Sequence, residues 1–196
     1  MDSITRTKKS QKVTIVGAVV DFLLSVFKVI VGVIGNSGAL VADGVHSFSD
    51  LLTDWVTWYA AKQAGEAPDK EHPYGHERFE TVATLGLSIF LAIIGTAIIF
   101  DAMGRLTNTG ALNHEVWLIA TAGLSIISKE ALYWYTVIVA KNINSEMLKA
   151  NAWHHRSDAF SSVVVIIGIV GAINGYYYLD SAAAIIVGIM IIYIGW

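Results

Sequence analysis

The chain has 196 residues, of which 55% are hydrophobic and only 15% charged, with a net charge of −3. A soluble domain carries roughly a quarter charged residues, so this balance, with a mean hydropathy of +0.57, excludes an ordinary water-soluble globule and offers no basic surface for nucleic acid. Cysteine is absent, which excludes disulfides and thiolate metal sites and leaves His, Asp and Glu for any metal chemistry.

Residues 1–12 read as a polar tail bearing Arg6, Lys8, Lys9 and Lys12. The apolar run over 13–34 is long enough to cross a bilayer, and it has no small-residue cleavage site of a secretory signal. It predicts the first of six transmembrane helices, followed by 38–64, 79–106, 114–141, 145–174 and 177–196. These runs lack strand alternation, and their scattered Gly, Ala and Ser suit close helix packing in lipid. The expected fold is therefore an all-α membrane protein with one six-span domain over 13–196. Lys and Arg cluster in the tail, in the second connection (Lys62, Lys70, Arg78) and in the fourth (Lys141, Lys149). The remaining connections carry none, although Arg105 borders one. The positive-inside rule then places both termini in the cytoplasm. Trp117, Tyr176, Tyr177, Tyr178 and Trp196 fit an aromatic belt at the span ends.

The polar residues inside the spans carry the chemistry. The second span holds Asp43, His46, Asp50 and Asp54, and the fifth holds His154, His155 and Asp158. His46 and Asp50 are four residues apart, as are His154 and Asp158, so each pair lies on one helix face. At about 1.5 Å per residue, Asp50 sits about 18 Å and His154 about 14 Å from the start of its span, near the middle of a hydrocarbon core about 30 Å thick. The two spans are antiparallel, so two imidazoles and two carboxylates converge. That set matches a tetrahedral Zn2+ ion, with the two carboxylates balancing its charge. Cd2+, Fe2+, Co2+, Ni2+ and Mn2+ accept the same ligand types. Without the metal, two bare carboxylates are costly at this depth, which predicts entry of protons as metal leaves. The i+4 spacing favours His154 over its neighbour His155, which stays as the alternative ligand. Asp43 reads as a fifth ligand, a gate residue or a cap group, and Asp54 as lining an inner vestibule or standing in solvated space. Lys28, Lys129 and Glu130 lie deep and need partners. Structural ion pairs are expected, with Lys129 neutralising Asp43 or a carboxylate of another helix. Asp21, Asp101 and Asp180 lie nearer span ends, where interfacial or cap roles suffice. Asp69, His72 and His76 are metal-compatible types on the second connection.

Four segments together carry a family likeness: Leu40–Asp50, His72–Glu80, Lys129–Tyr133 and His154–Asp158. On these, the chain resembles the cation diffusion facilitator family of zinc-transporter-like metal/proton antiporters. The resemblance implies that His46, Asp50, His154 and Asp158 form the transport site. It also implies that Asp69, His72 and His76 bind a second zinc, and that the protein is a homodimer exporting metal from the cytoplasm by alternating access. His at position 46 resembles the zinc-preferring members. The family usually adds a cytoplasmic C-terminal domain, which is expected to be absent because the sequence stops at Trp196. Compact connections suggest a bacterial inner membrane. An enzyme is not expected, since no His-Glu-x-x-His motif occurs and four protein ligands leave no open position for a catalytic water. A channel fits poorly with tight mid-membrane ligands. A metal sensor or assembly partner without transport is the remaining alternative.

Overall fold

The structure is a computed structural model, and it describes residues 3–64, 76, 78–107 and 110–196. The described residues form six helices: α1 (Ser3–Ile34), α2 (Gly38–Ala64), α3 (Arg78–Thr107), α4 (Glu115–Ile143), α5 (Glu146–Ile173) and α6 (Tyr178–Ile194). The protein is thus an all-α membrane protein. Helix α1 starts ahead of the expected boundary, because the Lys, Arg and Gln of the tail are good helix formers and continue the turn. Four of the helices are long and apolar enough to cross a membrane. Helix α2 falls short in composition because it carries Asp43, Asp50, Asp54 and Lys62, and α6 has only 17 residues.

Short turns reverse the chain after α1, α4 and α5. Between α1 and α2, Asn36 adopts a left-handed φ of 56°, and the Ser37 amide donates to the Gly32 carbonyl at 2.9 Å, closing the end of α1. The next amides are those of α2, and Asp180 of α6 meets them. Its carboxylate accepts from the Ser37 hydroxyl at 2.6 Å and from the Gly38 amide at 2.7 Å. A carboxylate at a helix N-terminus satisfies orphan donors and opposes the helix dipole. At the other side, Ser145 caps α5 by accepting from the Leu148 amide at 3.3 Å.

Helix α4 packs along α5, α1 along α2, and α3 along α6, while α2 also reaches α3, α5 and α6. Glycine sets the close crossing of α1 and α2. A Cβ on Gly44 would stand 2.7 Å from Val29 Cγ2 and 2.9 Å from the Val29 amide nitrogen, so α1 and α2 touch backbone to backbone there. Leu40, Leu118, Val165, Ile169 and Val187 fill the apolar core away from the N-terminal side. Large apolar side chains such as Ile93, Phe100, Ile127 and Phe160 point outward, as a bilayer requires.

Candidate metal centre

Helix periodicity brings His46 and Asp50 to one face of α2, one turn apart. The Nδ1 of His46 stands 3.8 Å from Oδ2 of Asp50. Asp158 projects from α5 into the same place, and one donor atom from each of the three lies within 4.8 Å of the others. His46 and Asp158 are buried and Asp50 is nearly so. Among the described residues, neither His46 Nδ1 nor Asp50 Oδ2 has a hydrogen-bond partner. Buried polar atoms are normally paired, and an orphaned pair aimed at one point marks either strain or a missing ligand. Donor atoms around one zinc at about 2.1 Å stand about 3.4 Å apart in tetrahedral geometry, so a small inward closure of these three groups suffices.

The fourth residue of the expected tetrad stands at the margin. His154 Nε2 is 3.8 Å from Asp158 Oδ2, but its side chain is 40% exposed. It faces a cavity of about 290 Å³ between α1, α2 and α5. Asp21, Asp50, Asp54, Asn151 and His155 share its wall. From mid-helix the cavity runs past Thr14 and Gly17 of α1, Trp55 and Trp58 of α2 and Asn151 of α5, so it opens toward the N-terminal side. Asp54 is exposed there, one turn beyond Asp50. His155 is turned away from the three-residue cluster. Its ring is buried against α1, with Nδ1 3.6 Å from Asp21 Oδ2.

Of the two partners expected for Lys129, the structure selects carboxylates of other helices. Lys129 does not reach Asp43. Its ammonium lies 2.7 Å from Asp158 Oδ2 and 2.7 Å from Asp21 Oδ1. Asp43 pairs instead with Lys28 at 2.8 Å, one helix away, and both side chains are fully enclosed. Ser161 and Ser162 of α5 donate to the two Asp43 oxygens at 3.1 and 2.9 Å. Lys28 also donates to Ser47 and Ser162 at 3.2 and 3.3 Å. In this structure both Asp43 oxygens are committed to Lys28, Ser161 and Ser162, as a structural partner's would be. Asp21 is not interfacial either: it is buried. Measured from the start of the apolar run at residue 13, Asp21 reads as nearer the span end, but α1 begins at Ser3 and carries it at mid-helix. One signal was present: Asp21 and Lys28 are seven residues apart, on one helix face. Glu130 sits at the rim, accepting from the Trp134 indole at 3.0 Å and lying 3.9 Å from Arg156.

Of the proposed loop site, Asp69 and His72 lie outside the described residues. His76 is buried and stacks on Phe79 with ring centroids 5.6 Å apart.

Comparison with known proteins points the same way as this geometry. The family profile of the cation efflux transmembrane domain matches residues 14–196. Metal tolerance protein C1 of Arabidopsis thaliana is 36% identical over 96% of this chain and 43% of its own length. An uncharacterized transporter of Methanocaldococcus jannaschii is 38% identical over 94% of this chain and 65% of its own. The manganese efflux system protein MneS of Bacillus subtilis is 29% identical over 100% of this chain and 68% of its own. The chain spans less than two thirds of the length of the first two relatives.

Proposed function

The chain belongs to the cation diffusion facilitator family, and on that premise we propose that it carries divalent metal cations, Zn2+ foremost, across the membrane in exchange for protons. His46, Asp50 and Asp158 bind the ion, and His154 swings in from the cavity wall to complete four ligands. The observation that carries this reading is the buried, unpartnered pair of His46 Nδ1 and Asp50 Oδ2 beside Asp158. Charge supports it. Asp21 and Asp158 share one ammonium, Lys129, and Asp50 stands beside Asp158 without a cation, leaving two negative charges for one divalent cation to balance. Departure of the metal restores that imbalance at membrane depth, where protons relieve it.

The positive-inside pattern supports cytoplasmic termini, so the cavity faces the cytoplasm and loading from there gives export. The compact connections support a bacterial inner membrane. A homodimer is part of the proposal, with α3 offering surface to a partner or to lipid, since only Leu91, Gly95 and Ala102 of it are buried. A second zinc at Asp69, His72 and His76 also belongs to it, supported by the burial of His76 at the start of α3.

A second reading of the cargo has its own support. As it stands, the cluster offers one imidazole and two carboxylates, a harder donor set that suits Mn2+. The relative named for manganese efflux fits that choice. Flux of Zn2+, Mn2+, Cd2+ and Fe2+ into proteoliposomes, under an imposed pH gradient, tests both. Zn2+ flux that follows the gradient and vanishes in Asp50→Ala supports the zinc reading. Flux only of Mn2+ selects the second. No flux in the wild type identifies a sensor, and flux independent of the gradient removes the exchange.

A further inference from the structure

Lys129 is a charged group buried beside the centre, and its side chain is 1% exposed. Its ammonium touches one oxygen of the metal centre, Asp158 Oδ2, and one oxygen outside it, Asp21 Oδ1. A divalent cation on Asp158 Oδ2 and an ammonium on the same atom repel one another at contact distance. A buried ammonium that loses all partners costs several kcal/mol, so Lys129 gives up Asp158 only if another carboxylate holds it. Asp21 Oδ1 already stands at the same distance as an ion-pair partner, without the hydrogen-bond alignment of the Asp158 contact.

Resting on the metal-centre reading above, we propose that Lys129 is a built-in counter-cation: it holds Asp158 when the metal is away and is drawn onto Asp21 when the metal binds. Asp21, on α1, is a positioning residue that acts on the metal through Lys129. The shift of Lys129 itself moves no proton, and the ammonium keeps a carboxylate partner in both states. It also lowers the hold of the centre on its cargo, because metal must displace an ammonium to bind. A carrier needs that restraint to release what it binds. The arrangement has a direct energetic form. The apparent affinity is the intrinsic affinity scaled by the fraction of molecules in which Asp158 is free, and Asp21 sets that fraction.

The test is titration calorimetry of Zn2+ and Mn2+ into the full-length transporter in lipid nanodiscs. Asp21→Asn leaves Lys129 with Asp158 alone and raises Kd about tenfold or more. The double change Asp21→Asn with Lys129→Gln removes the competing cation together with its resting place, and returns Kd to the wild-type value or below it. That recovery is a result that a merely structural pair does not give. A double variant as weak as Asp21→Asn overturns the proposal, since Asp21 then acts on the metal directly or through the fold. An unchanged Kd in Asp21→Asn overturns it too. If Asp21→Asn fails to fold, Lys129→Arg reads the same competition, because a planar fork grips a carboxylate with two bonds. Kd then rises, and an unchanged Kd overturns the proposal. Asp158→Asn separates the two layers. If it binds metal as the wild type does, the metal-centre reading fails and takes this proposal with it. If it loses binding while Asp21→Asn does not, only the counter-cation falls.

Discussion

Two buried Lys–Asp pairs bridge neighbouring helices, and they are finished differently. The Lys28–Asp43 pair is sealed by Ser47, Ser161 and Ser162, so its charges and lone pairs are met within the protein. The Lys129 ammonium is divided between Asp21 and Asp158, beside His46 Nδ1 and Asp50 Oδ2 that are unpartnered among the described residues. A satisfied network fixes one geometry, whereas a half-satisfied one stores a demand for a ligand. The open pair adjoins the cavity lined by Asp21, Asp50 and Asp54, and neither Lys28 nor Asp43 lines it. The difference teaches where the molecule is built to hold and where it is built to exchange.

The sharpest way to break the comparison is to unbalance the sealed pair. Lys28→Met leaves the Asp43 charge alone in the bilayer, at a cost of about 3–5 kcal/mol. Thermal unfolding in detergent should show the loss, with most of it recovered in the double variant Lys28→Met with Asp43→Leu. A double variant as unstable as the single one would mean that the serines, not the charges, hold the helices.

The open pair should respond in the opposite manner. Asp158→Asn should reduce metal flux by about a hundredfold or more, because it removes a carboxylate ligand from the centre. Its unfolding temperature should fall much less than that of Lys28→Met, because Lys129 keeps Asp21. Side-by-side flux and melting curves decide it. Equal destabilisation in the two variants would erase the distinction between holding and exchanging.

Much of this contrast was legible in the sequence, and the illegible part has physical causes. Six apolar runs gave six helices, since lipid leaves few alternatives to a helix for a long apolar segment. The i+4 spacing of His46 and Asp50 put both on one face of α2, because that relation depends only on helix geometry. Which lysine meets which aspartate depends on helix rotation and on neighbours, and that is settled by packing. Sequence spacing therefore leaves Lys129 open between Asp43 and a carboxylate of another helix, and packing gives Asp43 to Lys28 across the glycine crossing of α1 and α2. His154 is a similar case. Its spacing to Asp158 is right, but the spacing says nothing about how far its ring leans into the cavity.

The glycine crossing gives a smaller effect on the sealed side. Gly44→Ala places a methyl 2.9 Å from the Val29 amide nitrogen, a contact with backbone that no rotamer change relieves. Overpacking of this kind costs about 1–3 kcal/mol. The shift separates Lys28 from Asp43, so the melting temperature should fall while Zn2+ affinity at the open centre stays within about threefold. A large loss of affinity would show the two pairs to be coupled along α1.

The smallest effect is expected at His154, and it bears on cargo. Imidazole favours Zn2+ over harder cations, while carboxylate and water suit Mn2+. If His154 joins His46, Asp50 and Asp158 only on binding, then His154→Ala costs Zn2+ one nitrogen donor and costs Mn2+ little, since water replaces the ring. The ratio of Zn2+ to Mn2+ affinity should fall about tenfold, some 1.4 kcal/mol. His155→Ala, whose ring faces Asp21 instead of the three-residue cluster, should leave that ratio unchanged. Competitive binding of the two ions to each variant measures it. The reverse result, with His155→Ala changing the ratio and His154→Ala not, would move the fourth ligand to the α1 side. It would then place the cargo directly against Lys129 and Asp21, and the open pair would be part of the binding site itself.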